Sequence, residues 1–163
     1  MAADIFAKLG DIKGESQDNK HKDEVEVLSW SWGVHNDAGS SVGGSGSGSG
    51  SGKASFNDFN FTHHVDKASP NLMRACATGE HIKEATITAR KAGKGQQEFL
   101  IIKMNDVIVT SVAVSGSGDT AATVESIALR FGKVDLEYKP QKADGSLDAG
   151  VHFKYDIKAN KVG

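Results

Sequence analysis

His63 and His64 are the first residues whose types invite chemistry, either a metal site or a general base. They stand in an alternating stretch, where adjacent side chains point to opposite faces, so the two cannot chelate one ion together. No His-x-His pair and no cluster of acids and cysteines accompanies them, and two ordinary strand histidines are expected. Cys76 falls between Ala75 and Ala77 in a helical pattern, where a buried, inert thiol is expected and no Cys–His pair can be assigned. The Gly/Ser run over residues 39–52 is superficially like a phosphate loop. It lacks the G-x-x-x-x-G-K-[ST] pattern, and Lys53 leads into a strand pattern, not a helix. Arg90, Lys91 and Lys94 are the nearest thing to a basic stretch and are expected in a turn, on a solvated face. The acidic residues are scattered, with no pair placed as general acid and base. No catalytic residue, cofactor or metal site is assigned, and the chain is expected not to be an enzyme.

Composition narrows the partners. The formal net charge of −2 argues against nucleic acid and against a polybasic membrane anchor. The single cysteine cannot form an internal bridge, which fits folding in a reducing compartment. The N-terminal residues lack a basic n-region, and Asp4 and Lys8 interrupt any apolar stretch, so no signal peptide is expected. A cytoplasmic protein follows, one that would leave the cell only through a dedicated machine. At 163 residues one domain spanning 1–163 is expected, large enough to bury a core without staples.

The elements that must position these residues are mostly strands. Val151, Phe153, Tyr155 and Ile157 alternate with polar residues, as do Phe59, Phe61, His63 and Val65, and Ala85, Ile87 and Ala89. Each pattern predicts a strand with one buried and one wet face. Leu28, Trp30, Trp32 and Val34 hold one phase, while Val25 and Val27 hold the other, which predicts a bulge or a change of sheet between them. Ile127, Leu129 and Phe131 give way to the opposite phase of Val134, Leu136 and Tyr138 across Gly132, where a bulge costs least. Residues 99–102 and 107–109 are apolar on both faces and must be covered on both, by a second sheet, a helix or another subunit. Asn105-Asp106 between them predicts a turn or kink. One helix is predicted over 70–79, with Ser69 as N-cap, Pro70 at the first position and Gly79 as the stop. Residues 39–52 form a long Gly/Ser interstrand loop with little to pack, and Ser115-Gly-Ser-Gly118 reads as a second such loop. The fold class is all-β, a two-sheet β-barrel-like domain with one short helix packed on it.

Several blocks carry a resemblance. They begin with Asp4-Ile-Phe-Ala-Lys-Leu-Gly-Asp-Ile-Lys-Gly-Glu-Ser16, His21-Lys22-Asp-Glu and Val27-Leu-Ser-Trp-Ser-Trp-Gly33. Phe61-Thr-His-His-Val-Asp-Lys-Ala-Ser-Pro-Asn-Leu72 and Ala75-Cys-Ala-Thr-Gly-Glu-His81 follow. Ala89-Arg-Lys-Ala-Gly93, residues 111–116 and Val134-Asp-Leu-Glu-Tyr-Lys-Pro-Gln-Lys-Ala-Asp-Gly-Ser146 complete the set. In this order they resemble the haemolysin-coregulated protein (Hcp) family of the type VI secretion system, over about residues 4–158. The resemblance implies a β-barrel-like subunit of homo-hexameric rings that stack into a tube inside a contractile sheath. The tube carries a valine-glycine-repeat spike and is expelled from the cell, and small effectors ride in the ring pore. The chain departs from the family in residues 39–52, almost pure Gly/Ser where the family has a mixed sequence.

Ring formation gives the alternation a further meaning. If Trp30 and Trp32 point into the barrel, Ser29 and Ser31 point away and can face the pore, where small hydroxyls leave the bore open to cargo. The loop, with Gly39, Val42, Gly52 and Lys53, is the expected contact to a neighbouring subunit or ring. The rival expectation is a monomeric β-sandwich binding module with Trp30 and Trp32 as a sugar platform. An all-β hydrolase would lack any assignable nucleophile.

Overall fold

The computed structural model describes residues 2–36, 53–93 and 95–163. The elements in order are β1 Ala3–Leu9, β2 Val25–Glu26, β3 Ser29–Ser31, β4 Val34–Asn36, β5 Ala54–Phe56, β6 Phe59–His64, α1 Ser69–Thr78, β7 His81–Lys91, β8 Glu98–Ser117, β9 Thr120–Tyr138, β10 Val151–Asp156 and β11 Lys161–Val162. The class is all-β with one short helix, as the periodicities predict.

The architecture is built on the β8–β9 ribbon, whose strands are 20 and 19 residues long. A straight strand of that length would run about 65 Å, too far for one core to cover. The ribbon therefore serves two sheet regions. Its first region pairs β8 with β7 and β9 with β10, and β7 continues to β1 and β2. Its second region pairs β9 with β6, and β6 with β3. Only Val27 and Leu28 separate β2 from β3, so the far margins of the two regions are brought together around one core. The phase change between Val27 and Leu28 is this passage from β1 as partner to β6.

The bend lies where the ribbon's pairing is interrupted without a change of register. Asp106 takes φ 56° within β8, so Asn105-Asp106 makes a kink and not a turn. Opposite it stands Gly132, where an added Cβ would lie 3.3 Å from Asp106 Oδ2. The register itself shifts between Val109 and Ser111. The core is filled by Leu9, Ile87, Ile102 and Met104 from the first region, Phe59, Phe61, Ile127 and Leu129 from the second, and Leu72 and Ala75 from α1.

Four expectations need correction. The helix begins at Ser69 with Ala68 as N-cap. No side chain caps it; in the turn before it Asp66 Oδ1 accepts from the Ala68 N–H at 2.9 Å, while Ser69 Oγ accepts from the Asp66 N–H at 3.1 Å. Pro70 and the left-handed Gly79 act as predicted. The Ser115-Gly-Ser-Gly118 stretch is mostly strand, paired as far as Ser117 with Thr120, leaving Gly118 and Asp119 as a tight hairpin turn. Leu28 is 51% exposed, because it lies at the passage between β2 and β3 and not within a covered strand. Val151, at 66%, and Phe153 follow the core-facing phase of β10 but run past the end of the cover.

A second, two-stranded sheet pairs β4 with β5, Val34 opposite Phe56. Phe56 anchors it to the main sheet, 4.9 Å from the Tyr155 ring and 6.1 Å from that of Trp32. The predicted Gly/Ser loop over residues 39–52, with Gly39, Val42 and Gly52, lies outside the described residues.

Candidate functional site

Ser29 and Ser31 are both exposed, on the opposite side of β3 from Trp30. Directly opposite residues in antiparallel strands share a face, and the register extends this face across four strands. Ser29 lies beside Thr62, Thr62 beside Ser126 and Ser126 beside Ala113. Ser31 lies beside Asn60, Asn60 beside Ala128 and Ala128 beside Ser111. His64, Val124 and Ser115 make a third row. The result is a sheet face of small hydroxyl, amide and methyl groups. The partner of the Ser29 hydroxyl is Thr62 Oγ1 at 2.6 Å, not a base, so the geometry is that of a hydrogen-bonding surface and not of an activated nucleophile.

This face ends in two strand edges. Among the described residues β3 pairs only with β6, and residues 112–117 of β8 pair only with β9. Unpaired N–H and C=O groups along such edges are templates for another strand.

The tryptophans spend their rings on the protein's own aromatics. Trp30 stacks on buried Phe59 at 5.6 Å. Trp32 stacks on Phe56, meets Phe131 edge-on at 5.8 Å and donates Nε1–H to the Asn57 carbonyl at 3.1 Å. Both are half-buried on the core side. Lys53 is exposed just before β5, and Lys94 lies outside the described residues.

Two clusters escaped the sequence reading. Arg90 is not on a solvated turn but 3% exposed within β7. Its guanidinium bonds both Asp18 oxygens, reaches Asp4 at 3.4 Å and lies 4.9 Å from the Phe6 ring centroid. The hydrogen bond from Arg90 holds the Asp18 carboxyl down at about 2, and the same bond raises Arg90 above its ordinary value. His21 stacks on Phe6 at 4.4 Å and bridges Glu24 and Glu98, each at 2.8 Å. These contacts strap the β1–β2 connection over the outside of β1, β7 and β8. The second cluster is His63 with Glu125, both fully buried, Nε2 to Oε1 at 3.1 Å. His63 and His64 do point to opposite faces, but His63 is paired with a carboxylate 62 positions away. Cys76 is half-buried against the core, not enclosed, because it sits at the margin of the helix face that docks.

Among the described residues no group of three or more His, Cys, Asp and Glu could hold a metal ion. No helix among them is long and apolar enough to cross a membrane.

The fold leaves a small polar face between two strand edges, and relatives give the chain its class. The family profile described as "Type VI secretion system effector, Hcp" matches residues 6–138, so the chain belongs to the Hcp family of type VI secretion proteins. It is 45% identical to protein hcp1 of Pseudomonas aeruginosa over 162 residues, 98% of either chain. Among solved structures, a type six secretion system protein superposes with TM-score 0.91 at 29% identity, covering 99% of this chain and all of that one. Hcp1 from Salmonella typhimurium superposes with TM-score 0.78 at 39% identity, covering 99% of each.

Proposed function

We propose that the chain is the ring-forming subunit of the type VI secretion tube. Hexameric rings stack head to tail, pass out of the cell with the spike, and hold small effectors in the bore. The observation that carries this reading is the position of the two open edges, one on each side of the polar face. Three antiparallel pairings separate β3 from β8, so the two edges run in opposite directions. β3 of one copy can therefore pair antiparallel with the end of β8 in the next. That contact is heterologous, and such contacts repeated by rotation close a ring. Each subunit then contributes four strands to the bore. Ser29, Ser31, Asn60, Thr62 and Ser126 face the cargo with hydroxyls and amides that bind without a large loss of rotamer freedom.

In this reading the whole chain acts as one domain. Residues 39–52, with Gly39, Val42 and Gly52, and the adjoining Lys53 touch the neighbouring subunit or ring. The partners are further copies of the chain, the valine-glycine-repeat spike, the contractile sheath and small effectors. The protein resides in the cytoplasm before firing and outside the cell afterwards. The binding-module alternative needs free indole faces, whereas Trp30 and Trp32 are stacked on Phe59 and Phe56. Light scattering of the purified chain should give a particle near six chains, and a strict monomer at high concentration would overturn the proposal.

A further inference from the structure

His63 on β6 and Glu125 on β9 lie directly opposite each other, and both side chains are fully enclosed beneath the polar face. Each keeps an atom without a hydrogen bond, His63 Nδ1 and Glu125 Oε2. Buried polar atoms left unsatisfied are costly and call for a reason. His63 Nδ1 stands 3.8 Å from Asp66 Oδ2, just beyond bonding distance. The other oxygen of Asp66 accepts from the N–H of Ala68, the N-cap residue of α1.

The charged surroundings are one-sided. Glu125 faces His63 from β9, and Asp66 faces it from the turn before α1. Glu15, from the β1–β2 connection, accepts from the Lys67 N–H and acts on Asp66 through its charge. α1 brings no acidic residue in its first turn, and β8 places Val114 opposite Glu125. Two carboxyl groups thus flank one imidazole, and a third, Glu15, acts on one of them.

A carboxylate only accepts, so with Glu125 ionised Nε2 carries the proton of the 3.1 Å bond. A neutral ring then turns the Nδ1 lone pair toward Asp66, and no bond forms across the 3.8 Å gap. One more proton, placed between Nδ1 and Asp66 Oδ2, makes that contact a hydrogen bond and removes one surplus negative charge from the interior.

We propose that His63, Glu125 and Asp66 form a proton-operated latch that draws the start of α1 onto β6 and tightens its docking as pH falls. The direction agrees with the state of Asp66, whose carboxyl is raised first of all by burial, with the charges of Glu15 and Glu125 adding to it. A group that holds its proton more tightly when folded lends stability at low pH. That stability is lost as pH rises through its folded value. The latch is internal to one subunit and does not depend on ring formation.

Hydrogen exchange of the full-length chain, read on the peptide covering Ser69–Thr78 and corrected for intrinsic rates, tests it. Protection should increase roughly tenfold as pH falls from about 7.5 to about 4, the ordinary carboxyl value that Asp66 exceeds, tenfold being the factor that one displaced proton supplies per pH unit. Asp66→Asn keeps an oxygen that can accept from the Ala68 N–H and removes the titrating group, so its protection should not respond to pH. Glu15→Gln, at an exposed position, should fold normally and move the response to lower pH. Equal protection of the wild-type helix at both pH values, a wild-type response in Asp66→Asn, or an unshifted response in Glu15→Gln would each overturn the proposal.

Discussion

Asp106 and Gly132 face each other at the bend of the β8–β9 ribbon, so closely that a Cβ on the glycine would lie 3.3 Å from the carboxylate. Asp106 is also gripped by Lys158 and, at 2.9 Å, by His81. Gly132→Val should force these contacts apart and destabilise the protein by about 1–3 kcal/mol, the cost of overpacking a close contact. Gly118→Ala, in the hairpin turn where a Cβ meets nothing within 4 Å, should stay within about 0.5 kcal/mol of wild type. Denaturant unfolding of the two variants checks the contrast.

The Asp18–Arg90 contact predicts acid sensitivity of a definite sign. The Asp18 carboxyl is lowered from 3.8 to about 2, chiefly by its hydrogen bond from Arg90. A lowered carboxylate stabilises the fold above its unfolded value, and that contribution is lost as pH falls through the folded one. The window therefore runs from just above pH 4 down to about 2. Asp106 and Asp144 are lowered as well and add to the slope. Asp18→Asn should lower Tm at pH 5 and flatten the fall between pH 4 and pH 2, as thermal melts across that range would show.

The His63–Glu125 pair should behave as a buried unit. Glu125→Leu strands an imidazole with no partner and should cost about 3–5 kcal/mol. Adding His63→Leu removes the stranded group and should restore much of the loss, so the double variant is more stable than Glu125→Leu alone. A double-mutant cycle by denaturant unfolding reads the coupling, and additive losses would refute it.

What was legible in the sequence, and what was not, divides along range. Phe59, Phe61 and His63 on one face and the change of phase at Val27 are local patterns, each found where alternation puts it, whereas across Gly132 the buried phase passes from Phe131 to Val134 without the shift of register that a bulge would bring. Alternation tells which residues share a face but not whether anything covers it, which is why Leu28 and Val151 stand exposed. Arg90 was misplaced because its partners, Asp4 and Asp18, are brought to it by strand pairing and a returning loop over more than 70 positions. Glu125 carried no signal beside Val124 and Ser126, since only the β6–β9 register brings it to His63. Alternation alone puts Ser29 and Ser31 on the exposed side of β3, while Asn60, Thr62 and Ser126 join that face only through the same long-range register.

The polar face makes its own prediction. Ser31→Gln puts a longer side chain on an exposed position of β3 without touching the core. It should leave the hexamer intact, narrow the bore and weaken cargo retention. Effector co-purifying with Ser31→Gln at the wild-type level would contradict the assignment of this face to the bore.

The central claim is that the β3 edge of one subunit pairs with the end of β8 in the next. The most direct measurement is oxidative cross-linking of paired cysteines in a Cys76→Ser background, Ser31→Cys combined in turn with Ser111→Cys, Ala113→Cys and Ser115→Cys. The predicted result is a ladder of linked species on a denaturing gel that ends at six chains for at least one pairing. Monomers alone in all three combinations, or a ladder that runs on past six, would contradict it.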